Sequence, residues 1–311
     1  MRIFEKASLK SEIQEVKRLL GLVSPDDVFT RLGLEQRLRK LSDQQDVDPG
    51  SHFQSRLTFK GAPVVGSYGI SAAFGAKAMS AFSDAVSAIG ASLRGVLAAR
   101  GPLPDRPDFE MLITGTAVGS FGFELESRNR ELVERGAVSE AVDRAQLLLE
   151  AASQEEDDAL AEAVVDLDQR AIATVRSFAE VLEQHGALCT VATAHRTFSF
   201  SNHLEVVRSV ARLEAGNIVE QEEILSGVLI GVLPVTRTIE YRLANGEVVR
   251  GKVDRSVGEL ESVHEWLHQL STVRARTTQV GNGKLKYLFT GRPEVPEPNA
   301  GLFGANEDEP R

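Results

Sequence analysis

The chain has 311 residues, of which 42% are hydrophobic and 26% charged, and a formal net charge of −10. These are ordinary globular values, and the length sets an expectation of about two folding units with a sizeable core. The acidic excess excludes a chain that coats nucleic acid over its whole surface, because that binding is driven by phosphate neutralisation. A local basic site stays open.

The start, Met1-Arg2-Ile3-Phe4-Glu5-Lys6, lacks the apolar run of a signal peptide, and no stretch approaches the roughly 20 apolar residues of a membrane span. The expectation is a cytoplasmic protein with no membrane partner. Cys189 is the single cysteine, which leaves no internal disulfide and no cysteine-rich zinc cage. Its apolar surroundings, Ala187-Leu188-Cys189-Thr190-Val191-Ala192, suit a small core residue better than a reactive thiol.

From the N-terminus, Ile13, Val16, Leu19 and Leu20 recur at helical spacing. Ser24-Pro25-Asp26-Asp27 then supplies a cap, a first-turn proline and acids ahead of a second helix carrying Val28, Leu32 and Leu38. Asp46 to Ser51 is a polar loop. Phe53 to Phe59 alternates as a strand, and Gly61-Ala62-Pro63 turns the chain into an apolar run ending near Ile70. Residues 71–99 read as a core-facing helix, with Phe74, Ala78, Phe82, Ala85, Ile89, Leu93 and Val96 on one side. Gly101-Pro102-Leu103-Pro104 stops it.

Phe109 to Thr114 and Phe121 to Glu126 form an expected hairpin around glycines 115 and 119. Those glycines fit no phosphate loop, since a strand rather than a helix N-terminus follows them. Residues 128–186 read as two helices broken near Ser153. Between Glu124 and Arg170 fourteen acids face five arginines, a local charge of −9 that is densest at Glu155-Glu156-Asp157-Asp158. This is a solvated face or a docking surface for a basic partner. Short strands over 187–200 and a helix over 202–214 complete an α+β domain, rich in helices with short strands, over residues 1–216.

Residues 217–291 form a second module. Asn245-Gly246 and Asn282-Gly283 each sit between alternating strands, as type I′ hairpin turns require. A long apolar strand from Ile224 to Leu233 precedes them, with Gly227 and Gly231 available for bulging. A helix over 257–270 separates the hairpins. The order strand, strand, strand, helix, strand, strand resembles the oligonucleotide/oligosaccharide-binding (OB) barrel, so the expected fold class is α+β with a small five-stranded OB-like β-barrel module. In its general look the chain is similar to uncharacterised bacterial proteins associated with defence or mobile-element loci. Residues 292–311 read as a disordered tail.

Strand parity puts Ile239, Tyr241 and Leu243, and likewise Leu285, Tyr287 and Phe289, toward the barrel core. The opposite parity carries Arg250, Lys252, Arg274, Arg276, Lys284 and Lys286. From Pro234 to Arg292 ten basic residues face six acidic ones, so a module of +4 sits in a chain of −10. These six are the candidate binding residues. Single-stranded nucleic acid is a possible ligand, although no exposed aromatic is expected on which bases could stack.

His264-Glu265-Trp266-Leu267-His268 matches the His-Glu-x-x-His pattern, in which two histidines one helical turn apart hold zinc and the glutamate activates its water. A third ligand has no candidate downstream except acids of the tail. Upstream, His195 and His203 are available, but no spacing selects either. The other reading is a helix burying Val263, Trp266, Leu267 and Leu270. The leading expectation is therefore a non-enzymatic binding or assembly protein without cofactor, its acidic helices meeting the basic barrel face between subunits. A nucleic-acid-binding component, or a zinc-dependent hydrolase using His264, Glu265 and His268, are the alternatives.

Overall fold

A computed structural model describes residues 3–23, 30, 31, 33–35, 37, 38, 53–98, 100–117, 121–128, 136–258, 260 and 266–295. The N-terminal helix α1 (Ile3–Leu22) and helical residues between 30 and 38 form a small apolar cluster of their own, in which Ile13 and Val16 are buried against Leu20, Leu34 and Leu38. The expected cap at Ser24 to Asp27 and the loop at Asp46 to Ser51 lie outside the described residues.

The main body starts with β1 (Gln54–Gly61), followed by a two-strand turn, β2 (Val64–Val65) and β3 (Gly69–Ile70), where the apolar run was expected. Helix α2 (Ala72–Ser92) buries Phe74, Ala78, Phe82, Ala85 and Ile89, as the spacing predicts. It ends well before residue 99, and Val96 is 88% exposed. The reason is local: Gly95 weakens the helix, and Arg94 is drawn to Asp105 and Asp108.

The hairpin of β4 (Met111–Ala117) and β5 (Phe121–Ser127) comes next. Among the described residues three helices follow where two were expected: α3 (Ala137–Ser153), α4 (Asp157–Val164) and α5 (Gln169–Gln184). The break at Ser153 stands. A second break falls at Asp168, whose side chain caps α5 through the Arg170 amide while its own amide donates to Ser92 Oγ. Then come β6 (Ala187–Ala192), β7 (Thr197–Ser199) and α6 (His203–Arg212).

The sheet order is β4-β5-β1-β6-β7, with every neighbour antiparallel. Period-two alternation aims Leu57, Phe59, Leu125, Cys189 and Val191 at one side, where they join α2, α3 and α5 in a single core. The other side is polar: Arg56 pairs with Glu124 at 2.9 Å, and Gln54 donates to Glu126 at 3.0 Å. Burial raises the Cys189 thiol pKa far above its usual range, which fits a core residue and not a nucleophile.

Beyond Asn217 the strands β8 (Ile218–Leu233), β9 (Thr238–Leu243), β10 (Val248–Val253), β11 (Leu270–Val280) and β12 (Lys286–Phe289) close a barrel in the order β10-β12-β11-β8-β9. All neighbours are antiparallel except β10 and β12. This is an OB-like barrel. β8 bulges between Leu229 and Gly231, which lets one long strand pair with both β11 and β9. Gly227 allows close approach: a Cβ there would overlap the Arg242 carbonyl. Tyr241 is buried in the barrel and donates its hydroxyl to the Ser271 carbonyl at 2.6 Å.

Several expectations for this module change. Neither Asn-Gly turn is type I′, because Asn245 and Asn282 do not adopt positive φ. Gly246 at +89° closes the first turn, and Gly281 at +51° opens the second. Leu285 lies outside β12 and is 47% exposed, unlike Tyr287 and Phe289. Glu294, assigned to the expected tail, bridges Thr272 beside β11, and residues 296–311 lie outside the described residues.

Candidate functional site: the barrel exterior and its acidic cover

The six basic residues do lie on the outside of the barrel, but they do not share one open surface. Register places Lys252 beside Leu288, Leu288 beside Arg276, and Lys286 beside Thr278. Leu288 is only 1% exposed and Thr278 0%, although both point outward. What covers this strip is the helical domain of the same chain.

Helix α4 makes the contact. Its apolar side, Leu160, Ala161 and Val164, is buried in the helical core, which turns its acids toward the barrel. The Asp157 carboxylate accepts from the Asn282 amide at 3.2 Å, and the Asp158 carboxylate from the Lys284 amide at 2.7 Å. One turn on, Glu162 pairs with Lys252 at 3.3 Å and with Lys286 at 3.7 Å. Asp166, beyond the helix end, pairs with Lys252 at 3.6 Å and with Arg144. Asp158 and Glu162 fall on one side because they are one helical turn apart, Asp157 flanks Asp158, and Asp166 continues the same spacing just past the helix end.

Further contacts extend this seam. Arg255 of the barrel pairs with Glu140 of α3, and Arg212 of α6 holds Asp157 at 2.7 Å. Ile218 and Val280, at the meeting ends of β8 and β11, belong to the helical core rather than the barrel core. Glu220 lies beside them on β8, and burial pushes its carboxyl pKa up against the pull of Arg276 and Gln169. The seam is thus apolar at one end and ionic along its length.

Arg250 and Arg274 remain exposed, and among the described residues they make no ion pair. Lys284 gives its backbone amide to Asp158 and keeps an exposed side chain. Arg276 is half-buried near Glu220, and its Nε has no partner among the described residues. The register adds one residue that the six candidates left out: Arg242 on β9 shares the outward side with Arg250 and is exposed.

The zinc pattern fares differently. His264 and Glu265 lie outside the described residues. The expected helix over 257–270 is absent from the described part of that span: Arg255–Val257 is a single 3-10 turn, Gly258 has φ +82°, and β11 begins at Leu270. His268 has φ +63° and donates its amide to the Leu229 carbonyl at 2.9 Å. It therefore occupies a left-handed turn rather than the helical position that a one-turn histidine pair needs. Trp266 and Leu267 pack on the barrel core as expected, whereas Leu270 is 61% exposed. His195 and His203 are both exposed, and among the described residues no three acids, histidines or cysteines gather to hold a metal.

One cleft, of about 350 Å³, opens between α2, α3 and the barrel. Arg94 stacks over Phe109 at 4.7 Å, and its bond to Asp108 favours the charged guanidinium. Arg255 is held by Glu140. The charged groups of the wall are therefore already matched with one another. No described helix is long and apolar enough to cross a membrane. Compared with known proteins, the chain matches no family model, no curated protein and no solved structure.

Proposed function

We propose that this is a non-enzymatic binding and assembly protein in which the acidic helical face and the basic barrel face form a joint within one chain. The barrel then presents its β9–β10 exterior, with Arg242 and Arg250, to a partner. The observation that carries this reading is that Lys252 and Lys286 are committed to Glu162 and Asp166 of the same chain. Charges engaged in this way hold two units together and are not free to work on a substrate. They are also not free to meet another subunit, so the contact expected between subunits is replaced by one in cis.

Native mass spectrometry of the purified chain tests the reading. The expected spectrum shows a non-covalent complex, with itself or a co-purifying partner, that carries no metal and is unchanged by Arg274→Glu with Arg276→Glu. A stoichiometric metal ion released by His264→Ala and His268→Ala would overturn it in favour of the hydrolase.

A second reading is favoured by the position of Arg242 and Arg250, since the exterior of the second and third strands is the ligand face of OB barrels. Here single-stranded nucleic acid is the partner. Binding of a labelled oligonucleotide should then be steep in salt and fall at least tenfold in Arg242→Glu with Arg250→Glu. No binding at low salt removes this reading.

A further inference from the structure

The barrel exterior away from α4 carries an apolar row among its arginines. Register sets Leu270 of β11 next to Val228 of β8, Val228 next to Arg242 of β9, and Arg242 next to Val248 of β10. All four point outward; Leu270 is 61% and Val248 50% exposed. Further along β8, Ile224 is 71% exposed and lies opposite Arg274. Arg242, Arg250 and Arg274 make no ion pair among the described residues. Exposed aliphatic side chains interleaved with unpaired cations suit an occupant that is both apolar and acidic. Tyr241 is the only aromatic residue of these four strands and points inward, so a nucleic acid would find no base-stacking platform on them.

The chain itself leads to this surface. Glu294 bridges Thr272 in antiparallel sense, so the backbone that follows it heads toward Leu270, where the row begins. Residues 296–311 lie outside the described residues, and their sequence has the required chemistry. It carries the apolar pair Leu302-Phe303, then Glu307-Asp308-Glu309, with four acids and one arginine in all.

We propose that the segment from Leu302 to Glu309 docks in cis on this exterior, its apolar pair on Leu270 and Val228 and its acids on Arg242 and Arg250. The order along the chain matches the order across the strands: the apolar pair comes first after Val295, as Leu270 and Val228 come first after Thr272, and the acids and arginines lie beyond. Neighbouring strands stand about 4.8 Å apart, so the row from Leu270 to Val248 spans roughly 14 Å. The seven residues from Val295 to Leu302 reach up to about 24 Å, so the tether is long enough. It also holds the segment at an effective concentration in the millimolar range, which a separate molecule of the same composition does not have. With the β9–β10 exterior as the partner face, the reading on which this proposal rests, the docked segment covers that face and a partner must displace it.

A polarity-sensitive fluorophore on Ala305→Cys of the full chain tests this, since Cys189 is buried and does not compete for the label. The reference is the labelled peptide of residues 296–311 alone. The expected emission is blue-shifted from that of the peptide and independent of protein concentration. The shift is lost in Arg242→Glu with Arg250→Glu and in Leu270→Asp. It is kept in Lys60→Glu with Lys77→Glu, which makes the same change of charge at exposed positions elsewhere. A thermal unfolding curve shows that each variant is folded. Emission equal to that of the peptide, or a blue shift that survives both Leu270→Asp and the arginine pair, overturns the docking and leaves the partner reading standing. A shift that appears only as protein concentration rises also overturns it, by placing the segment on a second copy. Failure of the partner reading shows separately, as a complex in native mass spectrometry that Arg242→Glu with Arg250→Glu leaves unchanged.

Discussion

Glu220 lies on β8 opposite Thr278, at the seam between the barrel and the helices. Burial raises its carboxyl pKa, Asp168 and Glu222 add to the effect, and Arg276 and Gln169 only partly offset it. One of its carboxylate oxygens is buried without a hydrogen-bond partner among the described residues. With the folded pKa above the unfolded one, the folded state binds the proton more firmly, so stability falls as pH rises from the ordinary carboxylate value through the raised one. Glu220→Gln removes that cost. Urea unfolding should therefore give the variant a higher midpoint than the parent at neutral pH, with the two converging below the ordinary carboxylate range. A variant less stable than the parent at neutral pH would mean that the charge on Glu220 is needed where it is.

At the scale of elements, what was legible followed from periodicity, and what was not followed from tertiary contacts. Phe74, Ala78, Phe82, Ala85 and Ile89 repeat at helical spacing, and all five are buried along α2. The barrel strands could be placed because Ile239 and Tyr241 alternate with polar residues and because glycine-containing turns separate β9 from β10 and β11 from β12. The break before α5 escaped notice because its cap, Asp168, reads as one acid among many, and only the contact with Ser92 gives it a role. The span ahead of β11 misled for a related reason. Val263, Trp266, Leu267 and Leu270 have helical spacing in the sequence, yet among the described residues Leu267 bridges Leu229 and His268 turns left-handed to bring the chain into the barrel. Arg237 shows how such irregular stretches are held: its guanidinium donates to the carbonyls of Val253, Asp254 and Gly258. No periodicity announces a contact of that kind. The candidate site was half legible, since charge counting found both faces but could not tell that they belong to one joint.

For the whole molecule, the opposed charges of the two units explain how a compact barrel is carried on a helical domain. The apolar end of the seam, at Ile218 and Val280, fixes position. The ionic part, from Asp157 to Asp166, fixes orientation. Individual ion pairs at half-exposed sites are worth only about 0.2–1 kcal/mol each. Their effect here comes from several acting on one helix side, with Leu288 and Thr278 sealed beneath. The most direct test is a double-mutant cycle by denaturant unfolding, combining Glu162→Gln with Lys252→Met and Lys286→Met. A joint in cis predicts that the losses are not additive, with a coupling of about 0.5–1 kcal/mol that shrinks with salt and does not change with protein concentration. Additive losses, or a coupling that grows with protein concentration, would contradict it and return the charged faces to contacts between molecules.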